Sequence, residues 1–142
     1  MAVPSQTKFK KGGVELINSC DRANYYIDEL TRAALKDVGK YVCRETRKQI
    51  RRRTGRLAKN IQYWVRKKEL DCLVGFKSAG WYGSYQELGT EKTPKVGALR
   101  NTVDANIDMI QKIEAQYLSA IEDEIQAQGL INEEEELGDD DT

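Results

Sequence analysis

IQYWVRKKELDCLVGF, residues 61–76, carries the pattern on which the fold turns. Ile61, Tyr63 and Val65 alternate with Gln62, Trp64 and Arg66. After a polar step at 67–71, Cys72, Val74 and Phe76 alternate again. A period of two in β-branched and aromatic residues marks strands buried on one side. The stretch therefore predicts a β-hairpin with one face on a core. The other face carries Trp64 and Leu73, which are large for a surface left to water, and a covering molecule is the expected reason.

Working toward the N-terminus, residues 24–50 read NYYIDELTRAALKDVGKYVCRETRKQI. Ile27, Leu30, Ala34, Val38, Val42, Thr46 and Ile50 recur at three- and four-residue steps, with charges on the other faces. This predicts an amphipathic helix of roughly seven turns. Asp21 is its first candidate N-cap and Asn24 its second. Gly39 lies inside, where glycine costs about 1 kcal/mol against alanine, so a close crossing or a mild bend is expected there. The basic end RKQIRRR suits a helix C-terminus, and Gly55 stops the pattern.

Toward the C-terminus, NTVDANIDMIQKIEAQYLSAIEDEIQAQG, residues 101–129, reads as one second helix. Its length is about 26 residues, or ~39 Å. Thr102 or Asn101 is the candidate cap and Gly129 the candidate closing residue. The expected fold is α+β: long amphipathic helices packed on a small antiparallel sheet, in one domain over 20–130. Residues 1–19 are expected to be a flexible arm, on the strength of Pro4, Gly12, Gly13 and three lysines in 1–13. Residues 131–142 are expected to be a disordered acidic tail.

Bulk properties narrow the function. At 142 residues, 39% apolar and 32% charged, the chain supports one modest core. No apolar run approaches the ~20 residues that cross a bilayer, and the first residues lack the apolar core of a secretory signal. A cytoplasmic origin is the default expectation. Histidine is absent, which removes the commonest general base and metal ligand. Cys20, Cys43 and Cys72 form no CxxC pair and read as buried free thiols. The zero net charge hides a dipole: residues 1–70 hold 18 Lys/Arg and 7 Asp/Glu, a net of +11, and residues 71–142 hold 5 and 16, a net of −11. Opposed charges of this kind steer and orient assembly.

Two segments are candidate sites. The basic stretch 47–56, RKQIRRRTGR, offers Arg47, Arg51, Arg52, Arg53 and Arg56 for ionic contact with a neighbouring subunit or with nucleic-acid phosphates. Residues 80–94, GWYGSYQELGTEKTP, hold the densest aromatic cluster. Trp81, Tyr82 and Tyr85, with Trp64, are candidate interface anchors. The same aromatics also suit the closing of a small core. Gly83 and Gly89 permit tight turns or close backbone approach, Thr90 can tie the turn through its hydroxyl, and Pro94 biases Thr93 away from helix. Glu87 is a lone carboxylate, a weak general acid and a candidate interface charge, with Glu91 as a second.

TGRLAKNI at 54–61, the hairpin ending VGF, YGSYQELGTEKTP at 82–94, and ALRNTVDANIDMI beyond it resemble the HK97 gp10-like family of tailed bacteriophages. Thr54, Gly55, Leu57, Asn60 and Ile61 match the family's T-G-x-L-x-x-S/N-I. Gly75, Tyr82, Tyr85, Glu87, Gly89, Thr90 and Pro94 match its V-G and Y-x-x-Y-x-E-x-G-T-x-x-x-P. The chain departs after Pro94, where Ala98 replaces an aromatic and Asn101-Thr102 replaces Pro-Ala. The resemblance implies a non-enzymatic virion protein of the head–tail neck, without cofactor or membrane partner. It implies a self-assembled ring, sixfold on the tail side, touching a head-completion or adaptor protein and a tail terminator or tail tube protein, with passive contact to channel DNA. Two rival readings are a sequence-nonspecific nucleic-acid-binding protein and a small enzyme centred on Glu87.

Overall fold

The spine of the molecule is helix α1, Cys20–Gln49, unbroken over its 30 residues. The computed structural model describes residues 3–50 and 55–137. The helix starts earlier than its periodicity predicts, and neither Asp21 nor Asn24 caps it: the cap position is Ser19, without a side-chain bond. Asn18 Oδ1 instead accepts the Cys20 amide at 3.0 Å. Asp21 sits in the first turn, and Arg47 and Lys48 in the last, each at the end that the helix dipole favours.

Two clusters hang on this one helix. Around its C-terminal half, Cys43 and Ile50 pack with Leu57 of α2 (Arg56–Lys59), with Ile61, and with Ala98. Strands β3 (Ile61–Arg66) and β4 (Asp71–Phe76) pair antiparallel from Ile61↔Phe76 to Arg66↔Asp71, as the alternation predicts. Tyr63, Val74 and Phe76 complete the inner face. Gly39 is where helix and sheet meet. A Cβ there would lie 2.8 Å from two carbons of the Tyr63 ring and 3.0 Å from Cys72 Sγ. Of the two expectations for Gly39, the structure takes the close crossing.

Around the N-terminal half of α1, Leu30, Ala33 and Ala34 pack with Tyr117, Ala120, Ala127 and Ile131. Here the single second helix predicted from sequence gives way to three: α4 (Ala98–Ala105), α5 (Ile107–Leu118) and α6 (Glu124–Leu137). Asn106 breaks the first junction. Its Nδ2 donates to the Thr102 carbonyl at 2.8 Å and its Oδ1 accepts the Tyr41 hydroxyl at 2.8 Å, holding φ at −118°. Asp123 opens α6, where its Oδ1 accepts the Ile125 amide at 3.0 Å. The side chain of Glu124 accepts from Arg22 Nε and ties α6 back to α1, and this bond pushes the Arg22 guanidinium above its ordinary value. Gly129, expected at a helix end, lies inside α6 with open space around it.

Both termini differ from expectation. The N-terminal arm contains a second hairpin, β1 (Thr7–Lys11) with β2 (Val14–Asn18). Its two-residue turn is Gly12-Gly13, both at positive φ of 60° and 83°, the backbone that fits the twist of paired strands. The stretch expected to be disordered from 131 is helical to Leu137, because Leu130 and Ile131 still have α1 to pack on. Residues 138–142 lie outside the described residues. The fold is α+β, with helices packed against a small two-stranded antiparallel sheet.

Because α1 carries both clusters, they should melt together. Leu30→Ala and Ile61→Ala, one in each cluster and both nearly inaccessible, should each cost about 2–5 kcal/mol. Urea titration followed by far-UV circular dichroism should show a single transition moved to lower urea in both variants. A biphasic curve in either would mean that the clusters unfold separately.

Candidate functional site

Beyond β4 the chain makes a 3-10 turn at Ser78–Gly80 and then a six-residue helix, α3 (Gly83–Leu88). From sequence, this stretch is too irregular for a long element, and a short helix is what it forms. Two glycines let it lie directly on the hairpin. A Cβ at Gly83 would be 2.8 Å from the Phe76 ring, and one at Gly80 would be 2.8 Å from Asn60 Cβ. Seated so closely, the segment turns its other side outward. Trp81, Tyr85 and Leu88 follow helical spacing and are 65, 49 and 77% exposed. The Trp81 and Tyr85 rings meet edge to face at 5.7 Å and 86°, the arrangement their quadrupoles favour. Tyr82, grouped with them from sequence, packs half-buried against the core beside Phe76.

Glu87 faces inward. Its Oε2 accepts the Leu99 amide and its Oε1 the Arg100 amide, each at 3.0 Å. These are second and third amides of α4, whose cap position is Gly97 at φ 61° rather than Thr102 or Asn101. Glu87 is therefore the cap of a helix eleven residues on, with both oxygens engaged by backbone amides. Glu87→Ala should cost about 1–2 kcal/mol in urea denaturation, and Glu87→Gln, which keeps one acceptor, about half of that. Equal stability of all three proteins would show that the cap contributes nothing. The turn between α3 and α4 is tied as expected. Gly89 stands at φ 77° with a Cβ position 2.9 Å from Lys95 Cβ. Thr90 Oγ1 accepts the Thr93 amide at 3.0 Å, and exposed Pro94 leads out of the turn.

The basic stretch divides. Arg47 is half-buried, and its Nη2 donates to the Ile61 carbonyl at 3.2 Å, joining the end of α1 to the start of β3. Arg56 is exposed at the start of α2, after Gly55 at φ 70°. Arg51, Arg52, Arg53 and Thr54 lie outside the described residues.

A second apolar patch lies on the outer face of β3–β4. Trp64 and Leu73 are direct cross-strand partners and both are exposed. The Trp64 ring reaches over Gly75, within 3.5 Å of where a Cβ would be. On the same face Arg66 Nε donates to Asp71 Oδ1 at 2.6 Å, and this bond holds the Asp71 carboxyl below its ordinary value. Of the cysteines expected to be buried, Cys43 is, Cys20 at the start of α1 is exposed instead, and burial, with Asp71 adding to it, pushes the half-buried Cys72 thiol up. Among the described residues, no group of three or more His, Cys, Asp or Glu gathers as a metal ion would require.

A helix, a hairpin packed across it at a glycine, and a short aromatic helix on the hairpin's end form one contiguous unit. The family model described as "Bacteriophage HK97-gp10, putative tail-component" matches residues 15–89, just over half of the chain and the whole of that unit. The chain belongs to the HK97-gp10-like family. The match runs from β2 to Gly89 and takes in α1, the β3–β4 hairpin and α3. Helices α4, α5 and α6 lie beyond it. Neither a search of curated proteins nor one of solved structures gives a match. Family membership supports a structural role in the virion.

Two sets of residues escape the sequence reading. Leu88 extends the Trp81–Tyr85 ridge, and the signal was its place seven residues after Trp81. Phe9, Val14 and Leu16 lie in β1 and β2, and the signal was Gly12-Gly13 between two runs of strand-forming residues.

Proposed function

We propose that this HK97-gp10-like chain is a structural protein of the phage neck, a ring that completes the tail and connects it to the filled head. The observation that carries the reading is the Trp81–Tyr85–Leu88 ridge. It is exposed, yet it is built on a closely packed seat, where Gly83 lies against Phe76. Rigid aromatics on a surface lose little entropy when covered and serve as anchors in interfaces. The chemistry that would make the same ridge a catalytic pocket is spent elsewhere, because Glu87 caps α4.

In this reading, the ridge and the Trp64–Leu73 patch are covered by neighbours: a second copy, the adaptor side of the neck, or the tail terminator or tube. The opposed charges of the two halves of the chain orient the copies head to tail. Contacts between unlike faces then close a ring when the rotation per copy divides a full turn, here sixfold. Exposed Arg56 and the neighbouring arginines supply positive contacts and, at the lumen, sequence-independent contact with passing DNA.

The test is complementation in a phage that encodes the chain. Removing its coding sequence should leave filled heads and tails that do not join. Adding the purified protein to that lysate should restore infectious particles. Intact, infectious virions formed without the protein would refute the proposal.

A further inference from the structure

Helices α5 and α6 fold back on each other across a bend that is itself almost helix. Helix α5 starts beside Tyr41 and runs down α1 to Leu30, and α6 starts beside Arg22 and returns. Between them, Ser119 keeps helical dihedrals, φ −64° and ψ −21°. The amides of Ala120, Ile121 and Asp123 bond the carbonyls three residues back, at 3.2 Å each. A continuous helix needs the carbonyl four back instead, a shift of one residue. Residues 119–123 read SAIED, with no glycine or proline to fix a turn. One side chain favours the bend: Asp123 Oδ1 accepts the Ile125 amide at 3.0 Å, which in a straight helix would bond the Ile121 carbonyl.

The bend leaves large apolar side chains in water. Leu118, Ile121 and Ile125 are 63, 40 and 85% exposed. They stand at i, i+3 and i+7, so a straight helix through the bend gathers them into one stripe. What α6 covers is apolar too. Leu30 and Ala33 of α1 are buried with Ala127 and Ile131 of α6. A single chain that straightened would expose all four. A second copy that straightens at the same time offers the same helix, with the same residues, to the same seat.

We propose that two copies exchange α6: residues 119–123 straighten, α5 and α6 become one helix, and the α6 of each copy packs on the α1 of the other. The occupant of the vacated seat is fixed, because the seat already holds that helix within one chain. Helix directions fix the symmetry. Helix α6 runs parallel to the α1 that it covers, and α5 runs antiparallel to its own. One straight helix therefore links two α1 helices that point in opposite directions, and the exchange closes as a two-fold pair. The two straightened hinges cross near the dyad, where the Leu118–Ile121–Ile125 stripes cover each other. Contacts between α1 and α6 are kept, so the cost of pairing is chiefly lost freedom, and burial of the stripes offsets it. A closed pair of this kind is a state apart from a head-to-tail ring and does not rest on the neck reading.

Full-length variants test the exchange. Asp123→Ala removes the bond that only the bent hinge uses. By sedimentation equilibrium it should dimerise about tenfold more tightly than wild type, since a pair loses two such caps. Ser119→Gly with Glu122→Gly penalises helix at two exposed positions and leaves the stripe intact. It should keep the wild-type circular dichroism and dimerise about tenfold more weakly. Arg22→Lys, added to Asp123→Ala, keeps the ion pair with Glu124 and makes it open to carbodiimide coupling. Light and heavy-nitrogen forms of this double variant are mixed and equilibrated where the dimer dominates. About half of the coupled peptides that join position 22 to Glu124 should then carry one light and one heavy partner, as random pairing of exchanged copies requires. Coupled peptides of a single label only would overturn the proposal. So would tighter pairing by the glycine variant than by Asp123→Ala, or the absence of a dimer of either wild type or Asp123→Ala at every concentration reached.

Discussion

Trp81→Ser combined with Tyr85→Ser should leave a folded chain that no longer joins heads to tails. Trp81 is mostly and Tyr85 about half in solvent, and their ring contacts are edge to face, Trp81 with Tyr85 at 5.7 Å and with Tyr82 at 6.0 Å. Removing them should therefore cost about 1–2 kcal/mol of stability, the worth of two edge-to-face contacts. Buried anchors in an interface are each worth about 2 kcal/mol or more. Losing two should weaken docking by about 4 kcal/mol, a factor on the order of 10³. Thermal melting of the purified variant and joining in a complementation lysate check the two halves of this expectation. Tyr82→Ala provides the contrast. Tyr82 packs against the core, so its loss should lower the melting midpoint of the isolated protein. If the Trp81/Tyr85 variant instead unfolds, the ridge is part of the core and the interface assignment fails.

Gly39→Val should be among the most damaging single changes to the fold. The first added carbon already falls 2.8 Å from the Tyr63 ring and 3.0 Å from Cys72 Sγ, and valine puts two methyl groups beyond it. Neither neighbour can give way easily, since Tyr63 lies in the paired strand β3 and Cys72 in β4. Overpacking of this kind costs about 3 kcal/mol, a large part of the 5–15 kcal/mol typical of a domain, on the order of a third. Gly129→Ala is the matched control. It too is inside a helix, but nothing lies within 4 Å of its Cβ position. There alanine should stabilise by about 1 kcal/mol through helix propensity alone. Opposite signs at the two glycines, measured by urea denaturation, would show that packing and not propensity fixes Gly39. A Gly39→Val protein as stable as wild type would mean that helix and sheet do not cross there.

These two sites also show what a linear sequence exposes. Gly39 and residues 61–76 were legible because their signals are local: a glycine that breaks a helical run without ending it, and an alternation that survives a polar turn. The glycines at 83 and 89 were legible for the same reason, as residues suited to close approach and to positive φ. Glu87 was not. Its partners are the amides of Leu99 and Arg100, and which carboxylate caps which helix depends on how the intervening turn folds. The second helix was overextended because its apolar spacing runs on through Asn106 and through 119–123, while the breaks are set by the Tyr41–Asn106 bond and by Asp123. In the linear sequence the aromatics at 81–85 form one set, and the structure sorts them by helical phase, Tyr82 inward and Trp81 and Tyr85 outward. The N-terminal hairpin was hidden by its lysines, which look like a solvated arm until Gly12-Gly13 is read as a turn.

The most direct test of a neck assembly is a reconstruction of the head–tail junction from virions that carry this protein. The expected result is a closed ring of copies between the head-side adaptor and the tail tube, with Trp81 and Tyr85 covered by a neighbouring chain. A virion in which the protein is absent from that junction, or present with the Trp81–Tyr85 ridge facing solvent in every copy, would contradict it.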